Sequence, residues 1–414
     1  MKIRSQRRKS RTGIVLAAVT LLVFSQASIA DWTFDPVLRA AWDYDDNATL
    51  SVRTDEEEQI SGIIGEASIN IVNRQEKGYF SFRPRLRSRT YDSDSDSTRD
   101  RDSDDQFMDF RSSYRSERND FGLSADYARE SVRTAELADA DLDTEIDPDD
   151  ISDDETGAVS TQARRERLRV TPRWTYRLSD LSSIEASVRY LTVDYADRDP
   201  LSALFDYSDT RLSLTYRRNL SSRSSASITV SGRDYTTERP NGDRTGYGVA
   251  AGYNRFLTET TQLRALVGIE QTEQDDLTQP ASGDDQSLVT DISLVRNLET
   301  IRLLAQYRQR VSPSGRGQLS TRDEFNLRFS RTLNDRFRAG LGARAYSVTS
   351  VDNQANKQDY VQLRGELIWR LTQTISMEAN YRHTVLNRES LGEGADSNRI
   401  TLWFTYQPKR ATGN

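Results

Sequence analysis

Two stretches of the sequence carry arginine at alternating positions. Guanidinium groups are planar and permanently charged, and their donors match carboxylates and the hydroxyls of sugars. A row of such groups on one face predicts a surface that contacts anionic or hydroxyl-rich solutes. The arginines are Arg83, Arg85, Arg87 and Arg89 in the first stretch, and Arg167, Arg169, Arg173 and Arg177 in the second.

Acidic residues on neighbouring segments give these arginines a second interpretation. Carboxylates would pair with the guanidinium groups across the segments and merely solvate a polar interior. Both interpretations stay open for each arginine, including Arg364 and Arg382 on two later segments. The acidic candidates for pairing are Glu66, Asp109, Asp126, Glu185, Glu270, Asp291, Glu324, Glu366 and Glu378.

The segments that carry these residues alternate between polar and apolar side chains. In 360–371, for example, Val361 and Leu363 alternate with Gln362 and Arg364. A period of two residues is typical of a strand with two different environments, whereas the 3.6-residue period of a helix would mix the two sets. We therefore predict strands with one polar, arginine-bearing face and one apolar face.

The last such segment, at 399–406, is the strand that organises the rest. A membrane β-barrel needs its last strand to pair with its first, because an unpaired edge cannot be satisfied in lipid. The predicted lipid-facing residues of this closing strand are Ile400, Leu402, Phe404 and Tyr406.

The spacing of the segments predicts a transmembrane antiparallel up-and-down β-barrel. We count about 18 strands, with 16 as the alternative. Divided among this number of strands, the chain leaves room in each for ~10 membrane-spanning residues and a connection. Short connections such as 74–77 and 117–120 alternate with longer polar ones such as 44–59 and 311–320. Short connections are typical of periplasmic turns and long ones of extracellular loops, so both termini are predicted in the periplasm.

The first 30 residues predict export. A basic region precedes an apolar stretch at 13–24 and the small-x-small sequence Ser28-Ile29-Ala30, which is the pattern of a Sec signal peptide. The expected organisation is a signal peptide at 1–30 and a single barrel at 31–414, located in the outer membrane of a Gram-negative bacterium. The basic residues are Lys2, Arg4, Arg7, Arg8, Lys9 and Arg11.

Composition by itself would favour a soluble or partly disordered chain. The mean hydropathy is −0.74 and 29% of the residues are charged, and no later segment approaches the ~18 apolar residues of a membrane helix. A membrane barrel can have an equally low mean hydropathy, because half of the residues in each strand face a water-filled lumen. A soluble β-sandwich or β-helix is the alternative fold, but neither would need the regular alternation of connection lengths.

Two acidic stretches, near 92–105 and 135–163, are predicted extracellular loops. Their carboxylates could hold Ca²⁺ and bridge to lipopolysaccharide, but neither stretch has the glycine spacing of an EF-hand loop. Solvated loops are therefore the preferred interpretation, and no cofactor or metal is predicted.

The sequence offers no catalytic constellation. His383 is the only histidine, cysteine is absent and no Gly-x-Ser-x-Gly occurs. The full chain carries a net charge of −7, and cleavage of the basic signal peptide would make the exported protein more acidic still. An acidic, exported protein is not expected to bind nucleic acid. We expect neither an enzyme nor a nucleic-acid-binding protein.

The opening strand runs into Tyr44-Asp45-Asp46-Asn47, and many Arg/Asp-rich hairpins lead to the aromatic last strand. With the signal peptide, this organisation resembles the outer-membrane β-barrel porin family associated with exopolysaccharide biosynthesis and export loci. The resemblance covers the whole mature chain. It implies a barrel through which a polysaccharide leaves the cell, together with periplasmic polysaccharide-export proteins as partners.

The prediction is thus an outer-membrane channel that passes exopolysaccharide through an arginine-rich lumen. One alternative is a general or anion-selective diffusion porin for small solutes, and another is a plugged barrel that acts as a structural or adhesion platform. Outer-membrane lipid, lipopolysaccharide and the barrel-assembly machinery are the other expected partners.

Overall fold

The computed structural model describes residues 31–52, 57–93, 102–132, 163–198, 204–274, 285–350, 357–388, 393–408 and 411–413. The predicted signal peptide at 1–30 lies outside the described residues, as do most of the two acidic stretches. The signal peptide and the loop character of these stretches therefore stay predictions.

Nearly all of the described chain is β-strand. Among the described residues, no helix is long and apolar enough to cross a membrane. The strands are β1 (Asp31–Asp45), β2 (Ile60–Arg74), β3 (Gly78–Ser93), β4 (Ser103–Arg115), β5 (Asn119–Ser131), β6 (Arg164–Ser179), β7 (Ser182–Ala196), β8 (Tyr207–Ser221), β9 (Ser224–Thr237), β10 (Arg244–Phe256), β11 (Thr261–Gln274), β12 (Asp285–Asn297), β13 (Ile301–Ser314), β14 (Gln318–Thr332), β15 (Phe337–Ser350), β16 (Gln358–Arg370), β17 (Ile375–Arg388), β18 (Glu393–Tyr406) and β19 (Ala411–Gly413).

The first 18 strands form a closed antiparallel barrel. Each pairs with its neighbours in the chain, and β1 pairs both with β2 and with β18, from Leu38 opposite Tyr406 to Asp45 opposite Arg399. The short strand β19 adds a further pairing with Trp32–Phe34 of β1. The predicted barrel of 18 strands is confirmed, and its last strand pairs with its first, as a membrane barrel requires.

Side chains also fasten the seam between β1 and β18. Asp43 is fully buried and accepts hydrogen bonds from Arg399 Nε (2.8 Å), Thr401 Oγ1 (2.6 Å) and Tyr91 Oη (3.1 Å). One carboxylate therefore joins the first strand to the last and, through Tyr91, to β3.

The segment that follows Asp43 continues this seam. Ser397 Oγ donates to Asp45 Oδ1 (2.7 Å), and the backbone N of Asn398 donates to Asp46 Oδ1 (2.6 Å). Asn47 Nδ2 donates to the carbonyl of Asp396 (2.9 Å). The Tyr44-Asp45-Asp46-Asn47 sequence thus has a structural task, which is to hold the closing strand.

The outer face of the barrel is apolar. Ile63 is 67% exposed and Leu341 is 62% exposed, and the closing-strand residues Ile400, Leu402, Phe404 and Tyr406 all lie exposed on the same outer face. On a closed barrel, such a surface is the lipid-facing band of an outer-membrane protein. The chain is therefore an integral protein of the outer membrane of a Gram-negative bacterium.

One end of the barrel carries only tight turns. The connections 75–77, 116–118, 180–181, 222–223, 257–260, 298–300, 333–336 and 371–374 lie there, together with the start of β1 and the end of β18. This is the periplasmic end, because periplasmic turns are short in such barrels.

The connection at 311–320 differs from its prediction as a polar loop. Strands β13 and β14 continue through it and are joined by only three residues, 315–317. Gly317 has a φ of +68°, a conformation that favours glycine, so the tight turn is possible here. The sequence of this connection is rich in serine and glycine, as a solvent-exposed loop would be.

Candidate functional site

Strand alternation directs the predicted arginines into the lumen. On β3, Leu86 is 59% exposed on the lipid side, and the odd-numbered positions face inward. On β6, Trp174 is exposed on the lipid side, so Arg173 and its odd-numbered neighbours face inward as well. The polar and apolar faces therefore lie as the period of two predicts.

A cluster of charges near the middle of β1, β2 and β3 has more guanidinium groups than carboxylates. Arg87 Nη2 lies 2.6 Å from Glu66 Oε2, and Arg39 Nη1 and Arg85 Nη1 lie at 3.8 and 3.9 Å from the same carboxylate. Arg39 also pairs with Glu378 of β17 at 3.1 Å. We call these five residues the Glu66 cluster.

Two aromatic rings support the guanidinium groups of this cluster. The Arg39 guanidinium lies over the Trp403 ring at 4.2 Å from its centroid, and that of Arg85 lies over Phe107 at the same distance. Arg87 lies within 5.9 Å of both ring centroids. Cation–π contacts of this kind hold the guanidinium planes in position without neutralising their charge.

Several other predicted arginines pair with luminal acids, as the second interpretation proposed. Carboxylates on β4 and β5 lie between the two arginine rows. Those on β4 pair with the arginines of β3, and those on β5 pair with the arginines of β6. The contacts are Arg83 with Asp109 (3.1 Å), Arg89 with Asp105 (2.8 Å), Arg167 with Asp126 (3.5 Å), Arg177 with Asp120 (2.9 Å) and Arg364 with Glu366 (3.2 Å).

The remaining predicted arginines differ in their surroundings. Arg169 and Arg382 both interact with neighbouring groups, and Arg382 is buried. Arg173 is exposed inside the lumen. The predicted residues therefore form several local groups and not one continuous ladder.

Two further charge clusters lie nearer the extracellular mouth, and their carboxylates are the predicted pairing acids Glu324 and Glu270. Glu324 pairs with Arg322 at 3.0 Å and with Arg344 at 2.8 Å. On β8, β9 and β11, Glu270 pairs with Arg211 at 2.8 Å and with Arg233 at 3.0 Å. In each of these contacts, one carboxylate serves two guanidinium groups.

The segment 310–320, here called the mouth hairpin, leaves the barrel wall. Pairing of β13 with β12 ends at Gln309, and pairing of β14 with β15 ends at Ser320. Val311 and Ser312 are 3% and 5% exposed, so both faces of the hairpin are buried. A hairpin that rose into solvent would expose at least one face, so this one folds into the mouth.

Polar contacts fix the mouth hairpin against the wall of β7 to β10. Arg233 Nη1 donates to the carbonyl of Val311 (3.1 Å), and the backbone N of Phe205 donates to the carbonyl of Gly315 (2.9 Å). Arg239 Nη1 donates to Gln318 Oε1 at 2.6 Å.

An apolar cluster completes the attachment. Val311 and Leu319 of the hairpin pack with inward-facing side chains near the extracellular ends of β7, β8 and β9. The other members of this cluster are Val132, Ala163, Leu191, Val193, Tyr195, Leu204, Tyr207 and Tyr235.

The described ends of the connection between β7 and β8, next to the hairpin, are held by hydrogen bonds and an ion pair. Asp206 accepts from the backbone N of Tyr195 (2.8 Å) and from Arg198 Nη1 (3.3 Å), and Arg198 also reaches Glu238 at 3.0 Å. Burial raises the pKa of the Asp206 carboxyl, although the Tyr195 hydrogen bond and the Arg198 charge act in the opposite direction.

A second segment, around Leu50, packs inside the extracellular mouth against β16, β17 and β18. Leu50, in the connection after β1, is buried with Tyr360, Leu386 and Ala395. Its φ of +48° and the hydrogen bond from its backbone N to the carbonyl of Asn47 (3.1 Å) define a tight turn. Two inserted segments thus reduce the open section of the lumen at its extracellular end.

One sequence signal could have revealed the mouth hairpin. Along β7 the inward face is polar up to Arg189 and becomes apolar at Leu191 and Val193, while the outward face changes from Tyr190 to Asp194. Such an inversion places apolar side chains inside the barrel above the lipid band, where only another part of the protein can cover them.

The described residues contain no group of three or more His, Cys, Asp or Glu side chains arranged to hold a metal ion. The lone histidine lies with its Nδ1 3.0 Å from Asn398 Oδ1 near the seam. The Ca²⁺ hypothesis for the acidic stretches concerns residues that lie mostly outside the described ranges.

No protein-family model matches this chain, and no curated protein matches its sequence. Among solved structures, Acinetobacter baumannii OccAB4 is similar at a TM-score of 0.46 and 11% identity, covering 93% of this chain and 99% of that one. Pseudomonas aeruginosa OccK5 (OpdH) is similar at 0.46 and 9% identity, covering 91% and 98%. The outer membrane channel DcaP of A. baumannii is similar at 0.42 and 12% identity, covering 93% and 99%. With TM-scores under 0.5, these similarities carry no argument about what passes through this barrel.

Proposed function

We propose that the protein is a passive outer-membrane channel for small anionic solutes. The observation that carries this proposal is the Glu66 cluster, in which three guanidinium groups are matched by only two carboxylates, Glu66 and Glu378. A lumen wall with excess fixed positive charge raises the local concentration of anions and lowers that of cations.

The same cluster suits passage as well as attraction. Arg39 Nη1 and Arg85 Nη1 lie 3.8 and 3.9 Å from Glu66, which is longer than a hydrogen bond, and the close contact of Arg39 is with Glu378 at 3.1 Å. A solute carboxylate or phosphate that competes with these luminal carboxylates would bind weakly enough to be released. Direction would come from the concentration gradient.

The inserted segments favour small solutes over a polymer. The mouth hairpin and the segment around Leu50 occupy part of the section through which a polysaccharide chain would have to leave. We therefore place anion diffusion ahead of the exopolysaccharide hypothesis, and we propose no enzymatic activity.

The test is the reversal potential of the purified barrel in a planar bilayer across a KCl gradient. Wild-type channels are expected to be anion-selective. The variant R83Q/R85Q/R167Q/R169Q should shift the reversal potential toward the cation value, because these side chains face the lumen. A control, R74Q/R118Q/R218Q/R296Q, removes the same charge from the periplasmic rim and should shift it much less.

An unchanged reversal potential in the lumen variant would reject a transport role for these arginines. Export of polysaccharide has its own assay, which is extracellular polymer in a deletion strain. Loss of surface polymer that the wild-type gene restores would favour the export hypothesis over diffusion of small solutes.

A further inference from the structure

An arc of four outward-facing arginines lies at the periplasmic rim on one side of the barrel. Each stands near the end of an even-numbered strand, two residues beyond an outward-facing Tyr216, Tyr253, Leu294 or Phe329, and each is exposed. The four are Arg218 on β8, Arg255 on β10, Arg296 on β12 and Arg331 on β14. We call them the basic arc.

The basic arc faces no acidic partner within the described chain. The residues opposite Arg218 are Ser182 and Ala226, and those opposite Arg255 are Ser224 and Leu263. The neighbours of the other two are neutral as well, namely Thr261 and Leu303 for Arg296, and Ile301 and Ala339 for Arg331.

The opposite side of the same rim has a different chemistry. On β4, β6 and β16, the last outward-facing side chains at this rim are uncharged, namely Tyr114, Leu178 and Trp369, and all three are exposed. The outward-facing arginines of the basic arc are therefore a feature of β8 to β14 and not of every even-numbered strand.

A pocket of about 380 Å³ lies at the β10 member of the arc, where the β8–β9 turn meets the end of β10. Its polar wall contains Arg223, Arg255 and serines from the turn, while Tyr253 and Phe256 form its apolar border. The carbonyl of Arg223 accepts from the backbone N of Phe256 at 2.8 Å, which holds the turn against β10.

The serines of this pocket are ordered by one another. Ser221 Oγ lies 2.7 Å from Ser224 Oγ and accepts from the backbone N of Arg223 at 3.2 Å. The turn therefore presents hydroxyls and a guanidinium group from one side, and Arg255 presents a second guanidinium group from the other.

We propose that this pocket binds the phosphodiester head group of an anionic phospholipid in the periplasmic leaflet, with the basic arc extending the same preference along the rim. Two arginine forks and hydroxyl donors match phosphate oxygens. The exposed aromatic rings beside them mark the depth of the membrane interface, where acyl chains begin. This inference is independent of what passes through the lumen.

The test uses the mature barrel in nanodiscs of phosphatidylcholine containing a minority of phosphatidylglycerol, with native mass spectrometry to count the lipids retained after release. Wild-type protein is expected to retain phosphatidylglycerol over phosphatidylcholine. The variant R223Q/R255Q should reduce this preference about tenfold, since it removes charge-assisted hydrogen bonds. The control R74Q/R118Q removes two rim arginines from the other side and should keep the preference.

Three results would overturn the proposal. They are equal retention in wild type and R223Q/R255Q, an equal loss in the control, and binding of soluble glycerol phosphate as tightly as the lipid, which would move the ligand from the membrane to the periplasm. Single-channel conductance reports folding of each variant. If R223Q/R255Q does not fold, R223K/R255K keeps the charge but loses the forks, and unchanged retention in that variant would also count against the pocket.

Discussion

Replacing Asp43 with alanine is expected to lower the free energy of unfolding by about 3 kcal/mol, at the lower end of the range for breaking a buried ion pair. The change leaves the Arg399 guanidinium without its carboxylate and removes the acceptor used by Thr401 and Tyr91. Arg399 keeps some contact with water, which limits the cost. Urea unfolding in lipid vesicles, followed by tryptophan fluorescence, measures the difference.

Two further variants make this prediction specific to the seam. D109A removes the partner of Arg83, but both side chains are half-exposed in the lumen, so the expected loss is at most about 1 kcal/mol. D43A/R399M removes both charges and should recover part of the stability lost in D43A. Equal effects of D43A and D109A would contradict the assignment of Asp43 to the closing seam.

Shortening the mouth hairpin is expected to raise single-channel conductance several-fold. The variant replaces residues 311–321 by Asn-Gly, a pair that favours a tight hairpin turn, between Arg310 and Arg322, which lie opposite each other in the register of β13 and β14. The hairpin is buried on both faces within the mouth, so its removal should widen the narrowest section of the path and admit larger solutes. Planar-bilayer recording and the size of permeating sugars measure the two effects.

A matched control shortens a turn at the other end of the barrel. Replacing residues 333–336 by Asn-Gly alters a periplasmic turn that has no part in the mouth, and conductance should stay near the wild-type value. Unchanged conductance in the hairpin variant, with normal folding on heat-modifiable gel mobility, would show that the hairpin lies outside the conducting path.

The sequence was sufficient to predict the barrel because a barrel depends on properties that can be recognised in each strand separately. Alternation gives the two faces, and the lengths of the connections separate the two ends. Both follow from local composition. The register between neighbouring strands does not follow from local composition. This register places Arg39, Arg85 and Arg87 near the same Glu66.

The parts that escaped prediction are therefore those made by distant segments. Arg39 was missed because it is a single arginine on its strand, without the repetition that identified the rows. The mouth hairpin was missed because its small polar residues resemble those of an exposed loop. Only the inverted faces of β7, at Leu191 and Val193, indicated that something would cover them.

The closing seam also bears on how long a barrel stays closed once it has formed. The side-chain bonds that join β1 and the residues directly after it to the closing strand connect positions at least 349 residues apart, so they cannot form until the last strand has reached the first. Contacts that form late in folding slow the reverse reaction and leave the forward rate nearly unchanged. The acidic residues at the end of β1 and directly after it, Asp43, Asp45 and Asp46, are therefore expected to lengthen the lifetime of the closed barrel without hastening its assembly.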